Sequence, residues 1–249
     1  MYQKRFSLHR KPFQSVLHDG DFFRSQAFEE ISPLVLHALR SDLGVAVLTG
    51  PCGVGKSVSL EAVRRTLEPA SQIILLRGGS ARTADDLLYS LHRRLLKAES
   101  KRSGETADTA SVVRRWDVVE RLQRVAEFWG PLVVLLDDAH LMQADVFSEL
   151  RALLEEEVQG QKLLRLLIAG PLVLEEVLAQ NDLSDFAQKI RSHVFLQPLR
   201  SAEAVEYLRH EMKVAGGSLS DAFDGSAVEK IVTAADGVPR CLNLLADES

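Results

Sequence analysis

The eight residues Gly50-Pro51-Cys52-Gly53-Val54-Gly55-Lys56-Ser57 satisfy the pattern G-x-x-x-x-G-K-[ST] at every fixed position. They follow the apolar run Val45-Ala46-Val47-Leu48 and lead into the helix-like Val58-Ser59-Leu60-Glu61-Ala62-Val63. Glycines at this spacing let the backbone curl so that successive N–H groups converge. The helix behind them aims the positive end of its dipole at the same point. Such a cradle suits the phosphates of a nucleoside triphosphate, with the binding segment running from Gly50 to Val58. Lys56 would reach the β- and γ-phosphates as a point charge, and the Ser57 hydroxyl would ligate Mg²⁺. A plain strand-to-helix turn has no need of Lys followed by Ser. A second chemical group stands some 80 residues further on, where the run Leu132-Val133-Val134-Leu135-Leu136 ends in Asp137-Asp138. One carboxylate at the end of a buried strand can hold Mg²⁺, and the next can orient or deprotonate an attacking water. Asp137 is read as the metal ligand and Asp138 as the group that handles the water.

The elements that must position these residues show in the hydropathy pattern. Short apolar runs recur at Val45–Leu48, Ile73–Leu76, Leu132–Leu136, Leu163–Ala169 and Val194–Leu196, separated by stretches of helical period. That alternation predicts an α/β fold with a mostly parallel sheet of five strands sandwiched by helices. Leu87, Leu88, Leu91 and Leu95 form one helical stripe. Val112, Trp116, Val119, Leu122 and Ala126 form another, with Trp116 and Trp129 read as packing residues and Asp117–Arg121 and Glu120–Arg124 as outer-face pairs. Lys97 to Ser111, rich in Ser, Thr and charge, reads as a surface loop. After Gln197-Pro198-Leu199 no β-like run remains, and three short helices are expected. The first begins at Ser201 as N-cap with Glu203 in its first turn, and buries Val205, Leu208 and Met212. Gly216-Gly217 ends it, a second stops at Gly237, and Pro239 opens the third. The expected division is an α/β nucleotide-binding domain over 1–198, with an opening segment 1–40, and a small helical lid over 199–249.

Composition is that of an ordinary globular chain: 249 residues, 46% hydrophobic, 26% charged, formal net charge −5. Nothing global favours nucleic acid or an anionic membrane. Two cysteines, Cys52 and Cys241, make neither a disulfide framework nor a metal cluster, which points to a reducing cytoplasm. The start Met1-Tyr2-Gln3-Lys4-Arg5-Phe6 lacks a signal-peptide core and no apolar run is long enough to cross a bilayer, so a soluble chain without membrane insertion is expected.

Three further motifs make the chain resemble the AAA+ ATPases, and among them the ExeA (GspA-type) secretion ATPases with their relatives in pilus biogenesis and transposition. Phe6-Ser7-Leu8-His9-Arg10-Lys11-Pro12-Phe13 resembles that family's F-G-L-x-x-x-P-F opening. Asp137-Asp138-Ala139-His140 resembles D-E-A-H, and Gly237-Val238-Pro239-Arg240-Cys241-Leu242-Asn243 resembles the lid motif G-x-P-R-x-x-N. The resemblance implies an AAA+ fold with ATP bound between the α/β domain and the lid, a sensor role for Arg240 toward the γ-phosphate, and Mg²⁺-dependent hydrolysis. It also implies a homo-oligomer and a membrane or envelope protein partner, at the cytoplasmic face of the inner membrane. In that family a membrane span and a wall-binding module lie beyond the lid. Those parts are absent here, by truncation or because this relative lacks them.

Three departures from the family pattern point to slow hydrolysis. Asp138 stands where relatives carry Glu, one methylene longer. The run Leu163–Ala169 ends at Gly170-Pro171 with no polar sensor residue. In Gln188-Lys189-Ile190-Arg191-Ser192-His193, relatives carry arginines at the positions of Lys189 and His193, which leaves Arg191 as the arginine that could act on a neighbouring subunit's nucleotide. The alternative function is a DNA-binding ATPase switch similar to transposition helpers, with little or no hydrolysis. It draws on the stretch Arg93–Arg124, which holds nine Lys/Arg against five Asp/Glu. A small-molecule kinase fits poorly, because no acceptor-binding motif accompanies the phosphate loop.

Overall fold

In a computed structural model the structure describes residues 8–14, 22–40, 44–68, 71–103 and 112–249. Contacts divide the chain into two compact units, one comprising Ser32–Thr49 and Leu60–Phe195, the other Met1–Ile31, Gly50–Ser59 and Leu196–Ser249. The first is an α/β sandwich and the second is helical. Two helices, α1 (Gln26–Arg40) and α2 (Lys56–Leu67), run across the division.

The α/β unit is built on five strands, β1 (Val45–Thr49), β2 (Ile73–Arg77), β3 (Leu132–Asp137), β6 (Leu164–Ala169) and β7 (Ile190–Phe195). Their order is β2-β3-β6-β1-β7 and every pairing is parallel. Between β3 and β6 a two-residue antiparallel pair, β4 (Glu157–Val158) and β5 (Gln161–Lys162), turns at Gln159-Gly160, both at positive φ as a tight hairpin requires. β3 is buried at all six positions, because helices cover both faces of a parallel sheet. β7, at the edge, alternates between half-buried and exposed residues until Val194, so its first half carries no apolar run. Around the sheet lie α3 (Ala84–Ser103), α4 (Arg115–Trp129), α5 (Ala144–Glu155), α6 (Val173–Leu178) and α7 (Ser184–Ala187). Their core joins Leu87, Leu91, Leu95, Leu122 and Leu150 to Phe147 and Phe186, whose rings meet edge-on at 5.2 Å. Each such side chain contributes about 1.5–3 kcal/mol by leaving water.

Two helical expectations need correction. Lys97 to Ser103 is the last stretch of α3 and not loop; it continues directly from the buried Leu95 and Leu96, and Glu99 within it is paired with Arg121 of α4. Residues 104–111 lie outside the described residues. In α4 the buried face is Val118, Leu122 and Val125, with Val119 and Ala126 at its margin. Val112 and Trp116 are 70% and 62% exposed, and Trp129 is exposed too. Val112 precedes the helix, so it cannot share its face, and the Trp116 ring packs under the Arg114 guanidinium at 4.8 Å. Glu120 pairs with Arg124 as expected, but Asp117 caps the helix by accepting from the Arg114 N–H.

In the helical unit, α8 (Ser201–Val214), α9 (Leu219–Ala222), α10 (Gly225–Ala235) and α11 (Pro239–Glu248) pack around Leu208, Met212, Ile231, Val232 and Leu242. α8 buries Ala204, Leu208 and Met212, leaving Val205 half-buried. Its N-cap is Arg200 and not Ser201, which is already the first helical residue, and the start is held by Glu203, which accepts from the Arg200 N–H at 3.3 Å. The opening motif belongs to this core: Phe13 is buried with its ring 6.3 Å from Phe223, His9 N–H donates to the Ala215 carbonyl at 3.1 Å, and Lys11 pairs with Asp247 at 2.6 Å. Phe6 and Ser7 of that motif lie outside the described residues. Among the described residues no helix is long and apolar enough to cross a membrane.

Candidate functional site

The phosphate loop follows directly on Thr49, the last residue of β1, and ends where α2 begins at Lys56. Starting a twelve-residue helix at the invariant lysine of the pattern places Ser57 in its first turn, where backbone N–H groups lack intrahelical partners. Lys56 is buried, and its ammonium donates to the carbonyls of Gly50 at 2.9 Å and Pro51 at 2.8 Å. The cation is therefore held against the loop by the loop's own backbone. Val54 is buried, Ser57 exposed and Val58 half-buried, so the segment presents polar groups outward over an apolar floor. A buried cation beside a helix start fits a polyphosphate.

Arg240 reaches the same loop within the helical unit. Its N–H donates to the Gly53 carbonyl at 3.3 Å, and a guanidinium nitrogen lies 3.7 Å from the Cys52 sulfur. Gly53 sits at φ +81°, and a Cβ there would fall 2.7 Å from the Arg240 Cβ and 3.3 Å from Val238. Only glycine admits this approach. One turn further along α11, Asn243 is buried beside Tyr207 of α8. Burial pushes the Tyr207 phenol above its ordinary range, so it stays a neutral anchor. The lid motif thus joins an outward arginine to an inward asparagine that fixes the helix carrying it.

In the α/β unit, Asp137 ends β3 at the C-terminal edge of the sheet and is buried, one of its oxygens accepting from the Asp138 N–H at 3.0 Å. That bond fixes the plane of the carboxylate. Asp138 turns the chain at φ 52°, ψ 41°, a left-handed conformation that Asp and Asn tolerate better than most residues. The turn Ala139–Leu141 follows, closed by Leu141 N–H to the Asp138 carbonyl at 3.0 Å. Gly78, just beyond β2, makes room for this turn, because a Cβ there would lie 2.2 Å from the Asp138 carbonyl oxygen. Among the described residues no group of three or more His, Cys, Asp or Glu could cage a metal.

Arg191 is exposed at the second position of β7, and Ile190 beside it pairs with Val45, the first residue of β1. It therefore stands at the N-terminal edge of the sheet, away from Asp137 and Thr49 at the C-terminal edge. Two participants carried no motif. Glu175 of α6 accepts a hydrogen bond from the buried Thr49 hydroxyl at 2.7 Å, and Gly78 is demanded by a contact between strands. The only sequence signal for either was a polar residue closing a buried apolar strand at Thr49.

A phosphate loop after β1 and a carboxylate pair after β3, with β6 between those strands, define a P-loop ATPase fold of the AAA+ type. Residues 39–178 match the AAA domain family, more than half of the chain, and the chain belongs to that family. Over its whole length it is similar to General secretion pathway protein A of Aeromonas hydrophila, 26% identical over 250 residues, which are 100% of this chain and 44% of that relative. The chain thus spans under half of the relative's length. Among solved structures it is similar in fold to Cdc6p of Pyrobaculum aerophilum (TM-score 0.69, 18% identity, 94% of this chain and 62% of that one). It is also similar in fold to the ADP form of the Aeropyrum pernix ORC2 protein (TM-score 0.67, 15% identity, 94% and 64%).

Proposed function

We propose that this chain is an ATP-binding, Mg²⁺-dependent AAA+ ATPase that drives assembly or remodelling of an envelope complex of the secretion or pilus kind. The observation that carries the reading is the approach of Arg240 to Cys52 and Gly53, which sets a lid-motif arginine on the phosphate loop. The roles proposed are Gly50–Val58 for the phosphates, with Lys56 as their cation, Ser57 and Asp137 for Mg²⁺, Asp138 for the attacking water, and Arg240 as the reporter of nucleotide state. Bound Mg²⁺ would neutralise phosphate charge and hold the β- and γ-oxygens for in-line attack. Arg191, exposed on the edge strand, is proposed to face the nucleotide of a neighbouring copy. The envelope role is supported by the full-length similarity to General secretion pathway protein A. Of the nine cations in the stretch that suggests the DNA reading, Arg115, Arg121 and Arg124 are each engaged by a carboxylate, of Glu149, Glu99 and Glu120 respectively.

Phosphate release by the purified chain with ATP tests the proposal. Turnover is expected with Mg²⁺ and none in EDTA; no release and no binding of a fluorescent ATP analogue at any Mg²⁺ concentration would remove the reading. Arg240→Ala keeps the backbone bond to Gly53 and deletes the charge. It is expected to bind ATP within a few-fold of the parent, turn over about tenfold more slowly and lose nucleotide-dependent assembly. Unaltered turnover together with unaltered assembly would restrict Arg240 to packing.

A further inference from the structure

Three residues, Gly170 to Leu172, separate the end of β6 from helix α6, which touches both the strand end before the phosphate loop and the turn after Asp138. On one side Glu175 accepts from the Thr49 hydroxyl, whose residue is 3% exposed and covalently precedes Gly50. On the other, α6 packs against the turn Ala139–Leu141 that follows Asp138. The helix is firmly seated between them. Leu174 is fully buried, its N–H donates to the Pro171 carbonyl at 2.8 Å, and the Gly170 N–H ties the end of β6 to the Leu48 carbonyl of β1 at 3.1 Å. Glu175 lies on the solvent side of Leu174, so its carboxylate is not needed to bury the helix. A charged acceptor spent on one buried hydroxyl makes a short, strong and directional bond.

Resting on the nucleotide-binding function proposed above, we infer that Glu175 is a positioning residue that couples the root of the phosphate loop to the Asp138 turn. Strain at Gly50 on phosphate binding passes through the Thr49 hydroxyl to Glu175, and through the short rigid helix to the Ala139–Leu141 turn. The sequence has no polar residue directly at the end of β6, where Ala169-Gly170-Pro171 stand. Glu175 supplies the polar link one helical turn later, from the helix that follows β6.

The test compares Thr49→Val and Glu175→Ala, which break the bond, with Thr49→Ser and Glu175→Gln, which keep a hydroxyl donor and an oxygen acceptor. In the parent, a slowly hydrolysed ATP analogue is expected to change amide exchange in 138–143 and 171–180 together. In Thr49→Val and Glu175→Ala, fluorescent ATP should bind within about threefold of the parent, with kcat down by on the order of 10–100-fold and KM little changed. The exchange response at 138–143 should disappear. Thr49→Ser and Glu175→Gln should restore both rate and response. Parent-like kcat and parent-like coupled exchange in the bond-breaking pair would overturn the inference while leaving the ATPase reading intact. Equal loss in all four variants would also overturn it, since the bond would then not be what matters. A parent protein that binds no ATP analogue removes the underlying function and this role with it.

Discussion

Replacing Lys56 with Ala is expected to abolish ATP turnover and to weaken binding of a fluorescent ATP analogue by about 100-fold or more, roughly 2.7 kcal/mol. Two effects add. The first is loss of the one loop cation aimed at the phosphates, where a charge-assisted bond contributes about 1.5–3 kcal/mol. The second is loss of the loop's internal brace, because the ammonium donates to the carbonyls of both Gly50 and Pro51. Without it those carbonyls turn toward solvent and the loop no longer presents its N–H groups as a set. Lys56→Met separates the two poorly, since it also breaks the brace. Lys56→Arg keeps a cation and can keep a carbonyl bond, yet its planar head is wider and more rigid in a buried place. Its affinity should fall between parent and alanine. A thermal melt of each variant without nucleotide checks the fold, and the rise in melting temperature with ATP should be largest in the parent, smaller in Lys56→Arg and smallest in Lys56→Ala. An undiminished steady-state rate in Lys56→Ala would refute the assignment of the loop.

How much of this was legible beforehand depended on whether a residue's reason was local. β1, β3 and β6 showed as apolar runs because both faces of the sheet are covered there, and the edge strand β2 showed as one although alternate residues are only half-buried, whereas β7 showed only at Val194 because its first half faces solvent on alternate residues. Gly50–Ser57 and Asp137-Asp138 were legible because backbone curvature and strand-end carboxylates are written in consecutive residues. Three of the four helices after Leu199 were legible for the same reason, since Glu203, Gly237 and Pro239 are start and stop signals that act within one turn, while the four-residue helix Leu219–Ala222 is too short to show a period. Trp116 misled, because an aromatic residue at helical spacing reads as core unless the helix phase is known, and Arg114 offers its ring a partner at the surface. Lys97–Ser103 misled in the opposite sense, its polar composition hiding a helix held by Glu99 to Arg121, 22 residues away. Thr49–Glu175 spans 126 residues and Gly78–Asp138 joins neighbouring strands, so no window of sequence could contain either. What escaped the sequence is the set of contacts that make a generic site specific.

Asp138→Asn is expected to bind Mg²⁺–ATP as the parent does and to lose turnover by on the order of 10²–10⁴-fold, the range for deleting a general base. Asparagine is the substitution that isolates the charge, because it accepts the left-handed conformation found at φ 52° with little strain. Alanine at the same place would add backbone strain to the loss of the carboxylate and confuse the result. Asp137→Asn should behave differently. Its carboxylate is buried and held by the Asp138 N–H, so its loss should weaken the dependence of ATP affinity on Mg²⁺ as well as the rate. Binding measured across a Mg²⁺ series, with single-turnover rates at saturation, separates the two. Equal loss of binding and turnover in both variants would mean the two roles are wrongly divided. Gly78 supplies an independent check on the same turn. Its missing side chain leaves room for the Asp138 carbonyl, so Gly78→Ala must displace the turn without touching either carboxylate. If orientation of the Asp138 carboxylate is what sets the rate, that change lowers kcat at unchanged ATP affinity, the same signature as Asp138→Asn in a protein that keeps both acids.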